Sequence, residues 1–90
     1  MNFEWAEEKG AANLKKHGVS YEEAATVFDD PLYVDFYDPD HSYDEHRYII
    51  IGQSGRGRLL AVSYAERGNT LRLISSREAT PAERKAYEEG

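Results

Sequence analysis

The sequence predicts an α+β domain, with helices packed on one antiparallel sheet, and three observations predict it. Two helical segments with recognisable ends come first, four strand-like segments follow in succession, and one capped helix closes the chain. Runs of each type, rather than strict strand–helix alternation, are the pattern of an α+β fold. Ninety residues is the length of one domain, so the chain is read as a single unit over 1–90.

Phe3 and Trp5 alternate with polar residues and suggest a short first strand. From Ala6 to His17 the composition turns helical. Gly10 opposes that reading by about 1 kcal/mol relative to alanine. Lys15, Lys16 and His17 suit the negative end of the helix dipole, and Gly18 follows as a left-handed C-terminal cap. Ser20 and Glu23 have the spacing of a capping box, with Val19 and Ala24 at the staple positions. Tyr21, Ala24, Ala25 and Phe28 then mark one buried face, and Asp30-Pro31 ends the helix. The short link between the two helices predicts a helical hairpin.

Leu32, Val34 and Phe36 alternate with Tyr33, Asp35 and Tyr37, the period of a half-buried strand. Asp38 to Glu45 is a polar, acidic loop. Arg47 to Gly52 is a strand whose unbroken Tyr48-Ile49-Ile50-Ile51 predicts cover on both faces. Gly52 to Gly57 is a glycine-rich turn, Leu59 to Tyr64 the next strand, Glu66 to Asn69 a tight turn, and Thr70 to Ser76 the last strand. Thr80, Pro81 and Glu83 supply cap, first-position proline and capping-box glutamate for a final helix bearing Arg84, Lys85 and Tyr87. The predicted order is β-α-α-β-β-β-β-α.

Composition excludes several classes. There is no cysteine, hence no disulfide and no thiolate metal site. The longest apolar run, Tyr48–Ile51, cannot cross a bilayer, and Met1 to Trp5 lacks the basic and apolar segments of a signal peptide. These features predict a cytoplasmic protein with no membrane partner. A formal net charge of −6 repels phosphate, so any affinity for RNA requires the fold to gather part of the eleven Lys and Arg residues.

Gly52-Gln53-Ser54-Gly55-Arg56-Gly57 lacks the Gly-Lys-Ser/Thr ending of a phosphate loop, so it reads as a hairpin turn. His41 and His46, with the neighbouring carboxylates, are the one place where a metal is conceivable, but their spacing matches no known metal motif and a solvated loop is the alternative. The other candidate chemistry is a set of dispersed cations: Lys9, Lys16, Arg47, Arg58, Arg67, Arg72, Arg77 and Arg84, with Tyr87 one turn from Arg84. Folded together they would make a basic concave surface. RNA is cleaved when its 2′-hydroxyl attacks the adjacent phosphate. Arginines suit the phosphorane, histidine the proton transfers, and tyrosine a stacking or donating role. Each has a plainer alternative: arginines paired with some of the seventeen carboxylates, His17 as a dipole cap, and Tyr87 as an anchor for the last helix.

Several segments, in order along the chain, resemble the BrnT toxin family of type II toxin–antitoxin systems. They are Phe3-Glu4-Trp5 with Lys9 and Asn13, Lys16-His17-Gly18-Val19, Tyr21-Glu22-Glu23-Ala24 and Val27-Phe28-Asp29-Asp30. Arg47 with Ile51-Gly52, Gly57-Arg58-Leu59-Leu60 with Val62, Arg67, Ile74-Ser75-Ser76-Arg77-Glu78-Ala79 and Glu83-Arg84 with Tyr87 complete the set. The resemblance implies a RelE-like fold and a ribonuclease that needs no metal or other cofactor, inhibits translation and arrests growth. It also implies a BrnA-type ribbon-helix-helix antitoxin that neutralises the toxin and supplies the DNA contacts of the complex. By that resemblance Arg67 and Arg77 stabilise the phosphate, Tyr87 stacks or donates a proton, and His17 carries a proton. Of the dispersed cations, Lys9, Lys16, Arg47, Arg58, Arg72 and Arg84 are then expected to hold the RNA. Two positions depart from the family pattern: Ala6 stands where Asp is usual after the tryptophan, and Glu78 follows Arg77 where a basic residue is common. Ser76 replaces an alanine. A glutamate beside Arg77 is expected to weaken RNA binding. The alternative function is therefore a catalytically weak or inactive module that keeps the antitoxin-docking surface.

Overall fold

The last helix forms where cap chemistry asks for it. The computed structural model describes residues 1–90, and its order is β1 (Asn2–Glu4), α1 (Glu7–His17), α2 (Tyr21–Thr26), β2 (Val34–Tyr37), β3 (Arg47–Gln53), β4 (Leu59–Arg67), β5 (Thr70–Glu78) and α3 (Pro81–Glu89). The predicted α+β order is thus the observed one. Thr80 accepts the Glu83 N–H and Glu83 accepts the Thr80 N–H, the complete reciprocal box at the start of α3. At α2 only half a box forms. Ser20 accepts the Glu23 N–H at 3.0 Å, but the Glu23 side chain turns inward to Arg58 and Ser54. The Arg58 guanidinium outcompetes the backbone N–H of the cap for this carboxylate. A 3-10 turn, Val27–Asp29, extends α2.

The strands lie in the order β1-β5-β4-β3-β2. β1 is parallel to β5 and all other pairs are antiparallel. The central strand is β4, with β3 beside it between β4 and β2. β4 and β5 extend further than their apolar runs, to Arg67 and from Thr70, leaving only Gly68 and Asn69 as the turn. Gly68 takes a positive φ of 63° there. A β-bulge interrupts the β4–β5 register: Ser63 pairs with Ser75 and Tyr64 with Leu73, so Ile74 is the extra residue.

Period-two alternation sorts the sheet into two faces. One carries Ile50, Leu60, Val62, Tyr64 and Leu73, and is covered by Val19, Tyr21, Ala24 and Val27 from the helical hairpin. Trp5 packs edge-on against Tyr21 at 5.8 Å. A Cβ on Gly10 would come within 3.3 Å of that indole, which explains a glycine inside α1. The opposite face is covered by α3 at one end, where Ile51, Leu59 and Ala61 meet Tyr87 of α3 and Ala79.

β1 covers β5 only at Thr70–Arg72, so the edge beyond Leu73 needs another partner. Asn13 of α1 supplies it. Its Oδ1 accepts the Ser76 N–H at 3.1 Å, and its Nδ2 donates to the Ser76 carbonyl at 2.8 Å and to the Val19 carbonyl at 2.9 Å. The Tyr21 hydroxyl donates to the Ile74 carbonyl at 2.6 Å. A side-chain amide thus takes the place of a neighbouring strand's peptide, on a residue only 7% exposed.

Removing that amide leaves buried backbone groups on Ser76 and Val19 without partners. Asn13→Ala is therefore expected to destabilise the domain by about 2–4 kcal/mol, at the level of unmet buried hydrogen bonds. Urea unfolding followed by circular dichroism measures this, with an unchanged m-value expected.

Candidate functional site

The open face of the sheet is built by strand register. Arg47 on β3, Ala65 on β4 and Arg72 on β5 are direct cross-strand partners, so both arginines project from one face with a small residue between them. The Glu45 carboxylate, arriving from the 38–46 loop, lies between the two guanidiniums. It accepts from Arg72 Nη2 and sits 3.5 Å from Arg47 Nε. That Nε is buried and makes no hydrogen bond. The next rows of the same face are Ile49–Ser63–Ser75 and Ile51–Ala61–Arg77. A lane of small side chains, Ala65, Ser63 and Ala61, therefore runs from the Arg47–Arg72 pair toward Arg77 and α3.

At the α3 end, Arg77 is held by Glu83 through paired hydrogen bonds of 2.7 and 2.9 Å. The same carboxylate caps α3, so one residue anchors both the helix and the arginine. The Arg77 guanidinium beside it holds the Glu83 carboxyl below its ordinary range, against the opposing effect of burial. Tyr87 donates to Asp30 Oδ2 at 2.7 Å, and that bond raises the tyrosine pKa. Burial pushes the Asp30 carboxyl up, but the bonds from Tyr87, Gln53 N–H and Leu32 N–H together bring it below its ordinary value.

The predicted residues thus fall into separate groups, and the single pocket expected to unite His17, Arg67, Arg77 and Tyr87 is not formed. Arg77 and Tyr87 share the α3 end. Arg67 lies six positions along β4 from Ala61, the partner of Arg77, or about 20 Å at roughly 3.3 Å per residue. It pairs with Glu4 at 3.2 Å in an exposed contact of the kind that adds little stability. His17 ends α1 and lines a different depression beside the β5 edge, together with Lys9, Lys16 and Tyr21. Arg84 is exposed on α3.

Arg58, expected to touch RNA, is engaged internally. Its Nε and Nη2 donate to Glu23, and Nη2 also reaches the Gly18 carbonyl at 3.0 Å. Glu23 is only 6% exposed, and an unpaired carboxylate there would be costly, so this arginine is required by the fold. Glu78 corrects a second expectation. Adjacent strand residues point to opposite faces, so its carboxylate leaves Arg77 and lies 3.7 Å from Arg58. It adds no negative charge to the face that carries Arg77.

Glu45 is the residue that sequence reading passed over, as one more acid in a polar loop. Its position two residues before Arg47 was visible, but the convergence with Arg72 depends on β3–β4–β5 register. In the same loop the His41 imidazole Nδ1 lies 2.9 Å from Asp38 Oδ2. His46 turns to Tyr37 instead, with Nδ1 3.5 Å from its hydroxyl. No group of three His, Cys, Asp or Glu side chains is arranged to hold a metal ion.

These features define a small α+β protein with an arginine-bearing, half-open sheet face. The chain belongs to the BrnT family of ribonuclease toxins of type II toxin–antitoxin systems, whose family model matches residues 5–83. Membership in such a system carries with it an antitoxin partner. The structure is similar to the crystal structure of the Brucella abortus ribonuclease toxin BrnT, with a TM-score of 0.65 and 24% identity over 89% of this chain and 97% of that one. No curated protein sequence matches the chain. No helix is long and apolar enough to cross a membrane.

The acid sensitivity of the fold follows from the pairing of buried Glu23 with Arg58. Hydrogen bonding from Arg58 holds Glu23 below the ordinary glutamate value, outweighing burial. A carboxylate depressed in the folded state contributes stability that is present above its unfolded value and is lost as pH falls through its folded value. Glu83 and Asp30 act in the same sense. Unfolding free energy from urea titrations is expected to fall steadily below about pH 4.5, near the ordinary glutamate value. In Glu23→Gln that acid slope is expected to be shallower, on a lower plateau at pH 7.

Proposed function

We propose that this chain is an endoribonuclease toxin that cleaves single-stranded RNA laid across the open sheet face without a metal ion, and thereby inhibits translation and arrests growth. The observation that carries this reading is the convergence of Arg47 and Arg72 on one carboxylate. Guanidiniums that already bind an oxyanion from the protein's own loop have the geometry to bind a phosphodiester. They also supply the positive charge that a phosphorane requires, so the reaction needs no cation from elsewhere.

The lane of small residues gives a sugar–phosphate backbone close approach to the sheet. Arg77 at its far end provides a second phosphate contact once Glu83 yields, and Tyr87 lies nearby as a stacking surface. Arg67 extends the lane at its outer end, beyond Arg72. The Lys9–Lys16–His17 depression, on the other side of the β5 edge, is a separate track for flanking nucleotides, with Arg84 contributing from α3. Such a division leaves a chain of net charge −6 two places to engage RNA: the arginines of the lane, once their carboxylate partners yield, and the separate lysine-lined depression.

The RelE-like assignment of the fold and a cytoplasmic site of action belong to this reading. So does neutralisation by a BrnA-type ribbon-helix-helix antitoxin, through which alone the complex would contact DNA. A second reading, an antitoxin-binding module with weak or no catalysis, is favoured by one fact: Arg58, Arg67, Arg72 and Arg77 are each paired with a carboxylate.

Expression of the chain alone is expected to stop bacterial growth and degrade RNA, and co-expression of its antitoxin to reverse both. Arg72→Ala is expected to weaken RNA binding about tenfold and to lower the slope of log K against log salt by about 1, as for one lost phosphate contact. Tight antitoxin binding with intact RNA would support the second reading instead.

A further inference from the structure

The 38–46 loop contributes more than a counter-ion to the open sheet face. A shallow cavity of about 180 Å³ is lined by His41, Tyr43, Asp44, Glu45 and Arg47. Four kinds of group converge there. Glu45 is a carboxylate whose orientation is fixed by charge-assisted contacts to two guanidiniums. His41 is bound through Nδ1 to Asp38, so the hydrogen at Nδ1 goes to a group that only accepts, and Nε2 is not engaged by that contact. The His41 side chain is 64% exposed and free to meet a large substrate. Tyr43 is 91% exposed, an unusual placement for an aromatic ring without a partner and a suitable platform for a nucleobase. Arg47 Nε is buried beside Glu45 and makes no hydrogen bond, so the protein leaves this guanidinium unsaturated.

We propose that Glu45 is the general base and His41 the general acid of RNA cleavage, with the scissile phosphate bound beside Glu45 by the guanidinium N–H groups of Arg47 and Arg72 that the carboxylate leaves free. This assignment rests on the ribonuclease reading above. The Glu45 carboxylate takes the proton of the ribose 2′-hydroxyl as the 2′-oxygen bonds to phosphorus. The added negative charge of the phosphorane falls on oxygens bound by the two guanidiniums. The bond from phosphorus to the 5′-oxygen breaks, and that oxygen takes the proton of His41 Nε2. The products are a 2′,3′-cyclic phosphate and a 5′-hydroxyl. Proton exchange with water then restores both groups. The carboxylate and the imidazole come from one loop, and Asp38 orients the imidazole as the arginines orient the carboxylate.

The test uses the purified full chain and a mixed-sequence RNA oligonucleotide. Wild type is expected to leave 2′,3′-cyclic phosphate ends and to spare the same strand carrying 2′-deoxyribose. Glu45→Gln is expected to lower kcat by about 10²–10⁴, the usual range for a lost general base, while binding the deoxy-substituted strand as tightly as wild type or more so. His41→Ala is expected to lose kcat over a similar range and to recover it on a substrate whose 5′-bridging oxygen is replaced by sulfur, a leaving group that needs no proton. Glu45→Gln should not recover on that substrate. Because His41 is exposed, its variant reports on the chemistry independently of whether Glu45→Gln folds. A Glu45→Gln enzyme as fast as wild type or faster would make the carboxylate a mere plug and overturn the base assignment. A His41→Ala enzyme with normal cleavage, or one that sulfur does not rescue, would overturn the acid. Failure of wild type to cut RNA at all would instead overturn the ribonuclease reading.

Discussion

The carboxamide of Asn13 stands where a further strand would pair with β5, and most of the architecture follows from that substitution. A sheet of this length has two edges, and an unpaired edge exposes backbone donors and acceptors. β1 covers β5 for three residues and then the chain turns into α1. Asn13 meets both the N–H and the C=O of Ser76 and also the carbonyl of Val19 at the helix–helix turn. One side chain therefore ties α1, the start of α2 and β5 together. The helical hairpin is held on one face of the sheet, and the other face is left to α3 at one end and to the 38–46 loop at the other.

Charge organises the molecule in a second way. The pairing of buried Glu23 with Arg58 joins α2 to the start of β4, and Ser54 of the β3–β4 hairpin donates to the same carboxylate at 2.7 Å. Asp30 accepts from Leu32, Gln53 and Tyr87, which fastens the end of the helical hairpin to that turn and to α3. A side chain at Gly52 would press within 3.2 Å of that carboxylate and 3.0 Å of Val27, so the strand must be bare there. These contacts are structural. The Arg47–Glu45–Arg72 contact differs, because its carboxylate comes from a surface loop and its arginines project over small residues on an open face. An acidic chain can thus present a local cationic lane.

The strand pattern of 32–76 was legible in the sequence because alternation and turn chemistry are local. The caps at Gly18, Ser20 and Thr80 were legible for the same reason. Misreadings came where a distant group competed with a local rule. Glu23 has capping-box spacing, but its carboxylate is drawn to a guanidinium thirty-five positions away. Glu78 neighbours Arg77 in sequence, yet the pleat sends the two side chains to opposite faces. Asn13 gave no signal of its own, since an asparagine inside a helix reads only as a weak helix former. Tyr48 to Ile51 predicted cover on both faces, and the strand is indeed interior, but Tyr48 and Ile49 are only half-buried, Ile49 because α3 covers the open face at its other end.

By itself the sequence determined the element order, the α+β class, the capped helix ends and the family to which the chain belongs, because each rests on spacing along the chain. Only the tertiary structure decided which cations share a site. Arg47 and Arg72 are brought together by hydrogen-bonded register across three strands, and Arg67 and Arg77 are held apart by the length of one strand. Register is set by pairing between segments far apart in sequence, and no local pattern of residues encodes the distance it imposes.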